Sequence, residues 1–197
     1  PAAIAPWGGR KALFGTNPIA FACPRQRGAP PLVIDLSLSK VARGKVMLAA
    51  QRGEAIPEGW ALDAEGRPTT DARAALGGAM LPMGDAKGAA LVMMVEILAA
   101  ALTGSHFGHE ASSFFDDKGG PPRVGQFFLL VDPARFAGEG FGDRVEQLCA
   151  TILAQPGTRI PGMRRLEMRA RAERDGIEVP DALHAELARR AGGGAPA

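Results

Sequence analysis

The sequence predicts an α+β chain: short strands set among helices over residues 1–140, then a helical C-terminal segment over 141–190 and a disordered tail over 191–197. Three observations point there. Apolar runs of strand length, Pro18–Cys23, Pro31–Ser37 and Gly125–Asp132, are bounded by Gly, Pro, Asn and Asp turn residues. A longer run, Gly84 to Gly104, carries Leu91, Val92, Val95, Leu98 and Leu102 at helical spacing. From Asp143 onward helical periodicity takes over, and no Gly-x-Gly-x-x-Gly follows any strand, so the usual dinucleotide fingerprint is absent.

Composition bounds the function classes. With 197 residues, 46% apolar and 22% charged, the chain has the make-up of an ordinary soluble domain with its own core. A net charge of +2, with basic and acidic residues interspersed, argues against nucleic acid as a partner. Cys23 and Cys149 lie far apart among apolar neighbours, which suggests neither a disulfide framework nor a metal cluster and fits a reducing cytoplasm. The opening Pro-Ala-Ala-Ile-Ala-Pro-Trp-Gly-Gly has no initiator methionine and no signal-peptide pattern, so an N-terminally truncated chain is expected.

Taken in order, Gly15-Thr16-Asn17-Pro18 is turn chemistry. The proline pushes Asn17 away from the helical region, and the Thr16 and Asn17 side chains can bond backbone or ligand. Pro31–Ser37 reads as a buried strand ending in Asp35 and Ser37, followed by a helix from about Leu38 to Arg52 that Ser37 or Ser39 can cap. A strand, an acidic residue and a helix start together form either a ligand site or a plain strand end. Gln51 to Gly78 is dense in turn residues, yet Trp60 and Leu62 need burial, so it reads as a long ordered loop over a site or an interface.

Within Gly84–Gly104, Glu96 is the only charge between Ala89 and Leu102, and Met93, Met94 and Ile97 fill the face opposite the periodic residues. The stretch therefore reads as a helix buried on most sides and too short to span a bilayer. A carboxylate in such surroundings is expected to be hydrogen-bonded or paired, because a buried charge without a partner costs several kcal/mol. Lys87, between Gly84 and Gly88 at the helix entrance, is either a solvated lysine or one that meets an anion beside the exposed N–H groups of the first turn. His106 and His109, three apart, invite a metal reading, but Gly104 and Gly108 argue against a shared helix face, and no third ligand is in view. Gly125–Asp132 is the clearest strand pattern in the chain. Asp143 is placed to cap a helix bearing Val145, Leu148, Cys149 and Ile152. Pro161-Gly162 opens a basic helix whose arginines form either a solvated face or a phosphate cradle, and a last helix starts at Pro180-Asp181.

Several of these pieces, in this order, resemble the malate/L-lactate dehydrogenase family of the second type, which is unrelated to the Rossmann-fold lactate and malate dehydrogenases. The matching residues begin with Gly15-Thr16-Asn17-Pro18 and Asp35-Leu36-Ser37-x-Ser39-x-x-Ala42-x-Gly44-Lys45. They continue with Ile56-Pro57-x-Gly59-Trp60-Ala61-x-Asp63, Pro68-Thr69-x-Asp71, Gly84-x-x-Lys87-Gly88, Val95-Glu96 and Pro161-Gly162. The resemblance implies a mostly antiparallel sheet with helices forming a non-Rossmann NAD(P)-binding domain. It implies an oxidoreductase that uses NAD or NADP on a small 2-hydroxy or 2-oxo acid or a cyclic imino acid, in a cytoplasmic homodimer without nucleic-acid or membrane partners. By the same resemblance Asp35, Leu36, Ser37, Lys87, Pro161, Gly162, Arg164 and Arg165 line the cofactor, and Thr16 faces the substrate. The family's acid/base histidine has no counterpart in His106, His109 or His184 and is expected in a preceding segment, whose absence would leave an apolar surface prone to self-association.

Overall fold

The computed structural model describes residues 1–26, 28–114 and 116–192. The chain divides into two compact units: Pro1–Cys23 with Val33–Phe141, and Pro24–Leu32 with Gly142–Ala197.

The first unit carries the sheets. β1 (Ile19–Cys23) and β2 (Leu32–Leu36) neighbour each other in a two-stranded sheet. β3 (Ala61–Leu62) is the middle of a second sheet, pairing antiparallel with β4 (Pro68–Thr69) and β5 (Ala79–Met80). The β3–β4 turn is closed by Asp63, which accepts from the N–H groups of Glu65 and Arg67 and from the Arg67 guanidinium. The backbone bond from Arg67, with that guanidinium, holds the Asp63 carboxyl below the usual range. Around the sheets lie α1 (Arg43–Arg52), α2 (Ala72–Gly77) and α3 (Asp85–Glu96), which runs into a π-helical turn at Ile97–Ala101. A short α4 (Ala134–Ala137) follows. Ile4, Leu38, Val46 and Val92 are fully buried at the centre of this unit, so the core is assembled from the N-terminal segment, the end of β2, α1 and α3. The second unit is helical: α5 (Phe141–Leu153), α6 (Met163–Asp175) and α7 (Asp181–Gly192). The fold is α+β, with both sheet ladders of β3 antiparallel.

The structure corrects several sequence expectations. No strand forms over 125–132 among the described residues, and Phe127 to Val131 are exposed in succession. The β-forming pattern is real, but a strand exists only by pairing, and this one has no partner among the described residues. α1 begins five residues later than expected, because neither serine caps it: Ser39 Oγ donates to the Val41 carbonyl (2.7 Å), and the N-cap position falls to Ala42. β2 is half-buried rather than buried. The supposed loop 51–78 contains β3, β4 and a helix capped by Asp71. α3 is not enclosed on most sides: Met93, Met94 and Ile97 are exposed, while Gly88, Ala89, Val92 and Glu96 face inward. Asp143 lies in the first turn of α5 rather than at its cap. Ala191 and Gly192, assigned to a disordered tail, close α7, and 193–197 lie outside the described residues.

Candidate functional site

The first unit contains a cavity of about 310 Å³. Its polar wall is made by Thr16, Asn17, Ser37, Arg43, Glu96 and His106, against apolar cover from Ala99, Ala100, Phe114 and Val124. The predicted substrate residue, Thr16, and one predicted cofactor residue, Ser37, thus face the same space. A backbone bond brings them together: the Leu38 N–H donates to the Thr16 carbonyl (2.8 Å), tying the Gly15–Pro18 turn to the end of β2. Ser39 has already given its one hydroxyl proton to Val41, so in the 3.0 Å Ser37–Ser39 contact Ser37 is the donor. The lone pairs of Ser37 Oγ are left to accept from a ligand.

The entrance of α3 lies beside the same strand end. The Met83 N–H donates to the Leu38 carbonyl (2.9 Å), and Ser39 and Pro82 form an antiparallel bridge. Gly84, at φ +65°, starts α3 without a side-chain cap. Gly88 is required there: a Cβ would fall 1.5 Å from the Met83 carbonyl oxygen. Lys87 is exposed on the first turn and has no hydrogen bond or ion pair among the described residues. Asp85 already sets one negative charge at this helix start. Asp35 is exposed and Leu36 half-buried at the end of β2.

The remaining predicted residues belong to the second unit. Gly162, at φ +91°, is the N-cap of α6; Pro161, Arg164 and Arg165 are exposed around it. This helix entrance, with two guanidinium groups one residue apart, has the chemistry of a phosphate contact.

Glu96 is 7% exposed and fully satisfied. Asn17 Nδ2 donates to its Oε2 at 2.6 Å, and the Gly108 N–H to its Oε1 at 2.5 Å, so the expected partnering holds. His106, weighed in the sequence only as a metal ligand and not matched to the family's histidine, takes a place that sequence reasoning did not foresee. It lines the cavity, and its Nδ1 is buried without a hydrogen-bond partner among the described residues. Its spacing from His109 pointed to a metal and not to the cavity; His109 instead stacks on Phe107.

A non-Rossmann α+β unit with a walled cavity at a strand end is the class of protein that fold and site define. The model of the malate/L-lactate dehydrogenase family matches residues 1–188, and the chain belongs to that family. It is 60% identical over 187 residues to a (2R)-3-sulfolactate dehydrogenase (NADP(+)) of Chromohalobacter salexigens, a match covering 95% of this chain and 55% of the relative. Identity is 47% over 187 residues to a Delta(1)-pyrroline-2-carboxylate/Delta(1)-piperideine-2-carboxylate reductase of Pseudomonas aeruginosa, covering 93% and 55%. The crystal structure of delta1-piperideine-2-carboxylate reductase from Pseudomonas syringae pvar. tomato superposes with a TM-score of 0.86 at 43% identity, covering 94% of this chain and 56% of that one. The chain therefore spans a little over half the length of the relatives it matches.

Proposed function

We propose that the protein carrying these residues is an NAD(P)-dependent oxidoreductase that moves a hydride between nicotinamide and C2 of a small acid. The acid is a 2-hydroxy or 2-oxo acid of malate, lactate or sulfolactate type, or a cyclic imino acid. The observation that carries the reading is the 60% identity, over 187 residues, to a sulfolactate dehydrogenase that uses NADP(+). The cavity supports it, since Thr16, proposed to face the substrate, and Ser37, proposed to face the cofactor, line the same space.

Residues of this chain fit a nicotinamide dinucleotide in donor chemistry. Ser37 Oγ keeps lone pairs for a ribose or amide N–H or O–H, Asp35 and Leu36 flank it at the strand end, and Lys87, without an ion pair among the described residues, suits a phosphate or ribose oxygen. Pro161, Gly162, Arg164 and Arg165 at the α6 entrance suit the phosphates, where a guanidinium binds in bidentate fashion. When bound, the cofactor supplies the hydride exchanged at C4 of its nicotinamide. Thr16 orients the substrate, and a histidine outside these residues moves the proton on the C2 oxygen or nitrogen. The same reading takes the enzyme as a cytoplasmic homodimer without nucleic-acid or membrane partners. A net charge of +2 supports the lack of a nucleic-acid partner, and no helix among the described residues is long and apolar enough to cross a membrane.

The test is NAD(P)H oxidation by the product of the complete reading frame, offered pyruvate, oxaloacetate, sulfopyruvate and piperideine-2-carboxylate. Turnover with at least one of them is expected. A folded protein that turns over none is instead a non-catalytic cofactor-binding or dimerisation module. Lys87→Ala tests the cofactor side: NADH or NADPH binding, followed by fluorescence, should weaken by roughly 1–3 kcal/mol with the melting curve nearly unmoved. Equal affinity in the two proteins removes Lys87 from the cofactor surface.

A further inference from the structure

The carboxylate of Glu96 does more than fill a hole in the core. It is the only charged side chain in the apolar run from Ala89 to Leu102, and an apolar residue of similar size would pack there without any desolvation cost. What the carboxylate does instead is hold two separate stretches of chain. Its Oε2 accepts from Asn17 in the turn that carries Thr16, and its Oε1 accepts from the Gly108 N–H in the loop that carries His106. Asn17 spends both amide hydrogens on this helix, the second on the Val92 carbonyl at 2.9 Å. It adopts φ +41°, a left-handed backbone that asparagine tolerates better than most side chains. The turn and the loop also meet directly, since a Cβ on Gly108 would fall 2.2 Å from the Gly15 nitrogen and 2.7 Å from the Phe14 carbonyl carbon. Immediately after Glu96 the helix widens into the π turn Ile97–Ala101, which sets Ala99 and Ala100 in the cavity wall. π turns of this kind recur beside functional sites.

We infer that Glu96 is a positioning residue. It clamps the Thr16 turn to the His106 loop, so that the polar groups on the two walls of the cavity stand at the separation a small acid substrate needs. The inference rests on the oxidoreductase reading for what the cavity binds, while the clamp itself is read without turnover. Among the described residues, Arg43 and His106 are the other charged or titratable side chains lining the cavity.

The experiment uses the product of the complete reading frame and two variants. Glu96→Gln keeps the shape but turns an N–H₂ group toward the Asn17 donor, so one arm of the clamp opens. KM for the acid substrate should rise about tenfold or more, the scale of a sub-ångström to ångström misplacement, while the NAD(P)H dissociation constant stays at its wild-type value. Amide hydrogen exchange should quicken over 14–18 and 106–108 together.

Asn17→Asp places two carboxylates where one sat, so one of the pair has its pKa raised and shares a proton only at lower pH. The ratio of its KM to that of wild type should therefore fall toward one as pH falls and grow as pH rises, a response that a merely structural role does not produce. Should Glu96→Gln fail to fold, this pH dependence decides. Unchanged KM and unchanged exchange in folded variants would overturn the inference, as would a loss of maximal rate that follows thermal stability alone. A wild-type protein without turnover defeats the oxidoreductase reading instead, and the paired quickening of the two segments then decides the clamp by itself.

Discussion

The two units solve the problem of holding helices in opposite ways. In the first, Leu38, Val46 and Val92 are buried from three different elements, and α3 is fixed by what it touches on its inner face. In the second, α6 and α7 bury no residue at all, and buried side chains are confined to Cys149 and Ile160 among the described residues. α6 consists mostly of strong helix formers between Gly162 and Gly176, and its ion pair Arg171–Asp175 is exposed, as are those of Arg189 and Arg190 with Glu186 in α7. Such pairs contribute a few tenths of a kcal/mol each. Helix propensity can therefore be satisfied locally, whereas the position of a functional side chain such as Thr16 or Ser37 is fixed by a packed core.

The widest gap should come from truncating one leucine in each unit. Leu38→Ala is expected to cost about 2–5 kcal/mol, the price of a cavity at a fully buried site, while Leu183→Ala in α7, half-exposed, should change stability by roughly 0.5 kcal/mol or less. Urea unfolding of both variants measures this, and similar costs would break the contrast. A smaller effect follows from α2. Its N-cap Asp71 accepts from Arg73 N (2.8 Å) and Ala74 N (3.3 Å), so Asp71→Ala should lose about 1 kcal/mol by the same assay.

The smallest effect concerns the second unit, where Arg25 makes two bonds to Glu146 of α5, at 2.8 and 2.7 Å. The Arg25 hydrogen bond holds the Glu146 carboxyl below its ordinary value. A depressed carboxylate contributes stability above its unfolded-state pKa and loses it as pH falls through the folded one. The urea midpoints of wild type and Arg25→Ala should thus differ at neutral pH and converge on acidification. A gap that persists in acid would show that Arg25 acts through packing instead.

Where the sequence was legible, the signal was local. β1, α6 and α7 follow from apolar or charged periodicity with Gly and Pro at their ends, and the partnering of Glu96 follows from one carboxylate in an apolar run. What escaped was non-local. The pattern over 125–132 specifies a residue type suited to a sheet but not the neighbour that makes a sheet. The start of α1 turned on whether Ser39 bonds forward to Val41 or caps a helix, and both choices look alike in one dimension. His106 lines the cavity in a loop held by its own N–H bond to the Arg123 carbonyl and by the close packing of Gly108 on Gly15, approaches that no spacing of histidines encodes.

The extended run Phe127–Val131 bears on how the protein behaves in bulk. Five apolar side chains in succession, Leu130 at 88% exposure, carry main-chain groups with no backbone partner among the described residues, and the run has no charge and no proline. Over the described residues such a strip has the chemistry of a template for β-pairing, whether with another segment of the same protein or with a second molecule. Where the strip stays uncovered, its tendency to pair is a property of the strip and not of the core, so filling or rigidifying the core would leave it unchanged. A single lysine in place of Leu130 acts on the strip itself, as the charges that flank exposed edges do in other proteins.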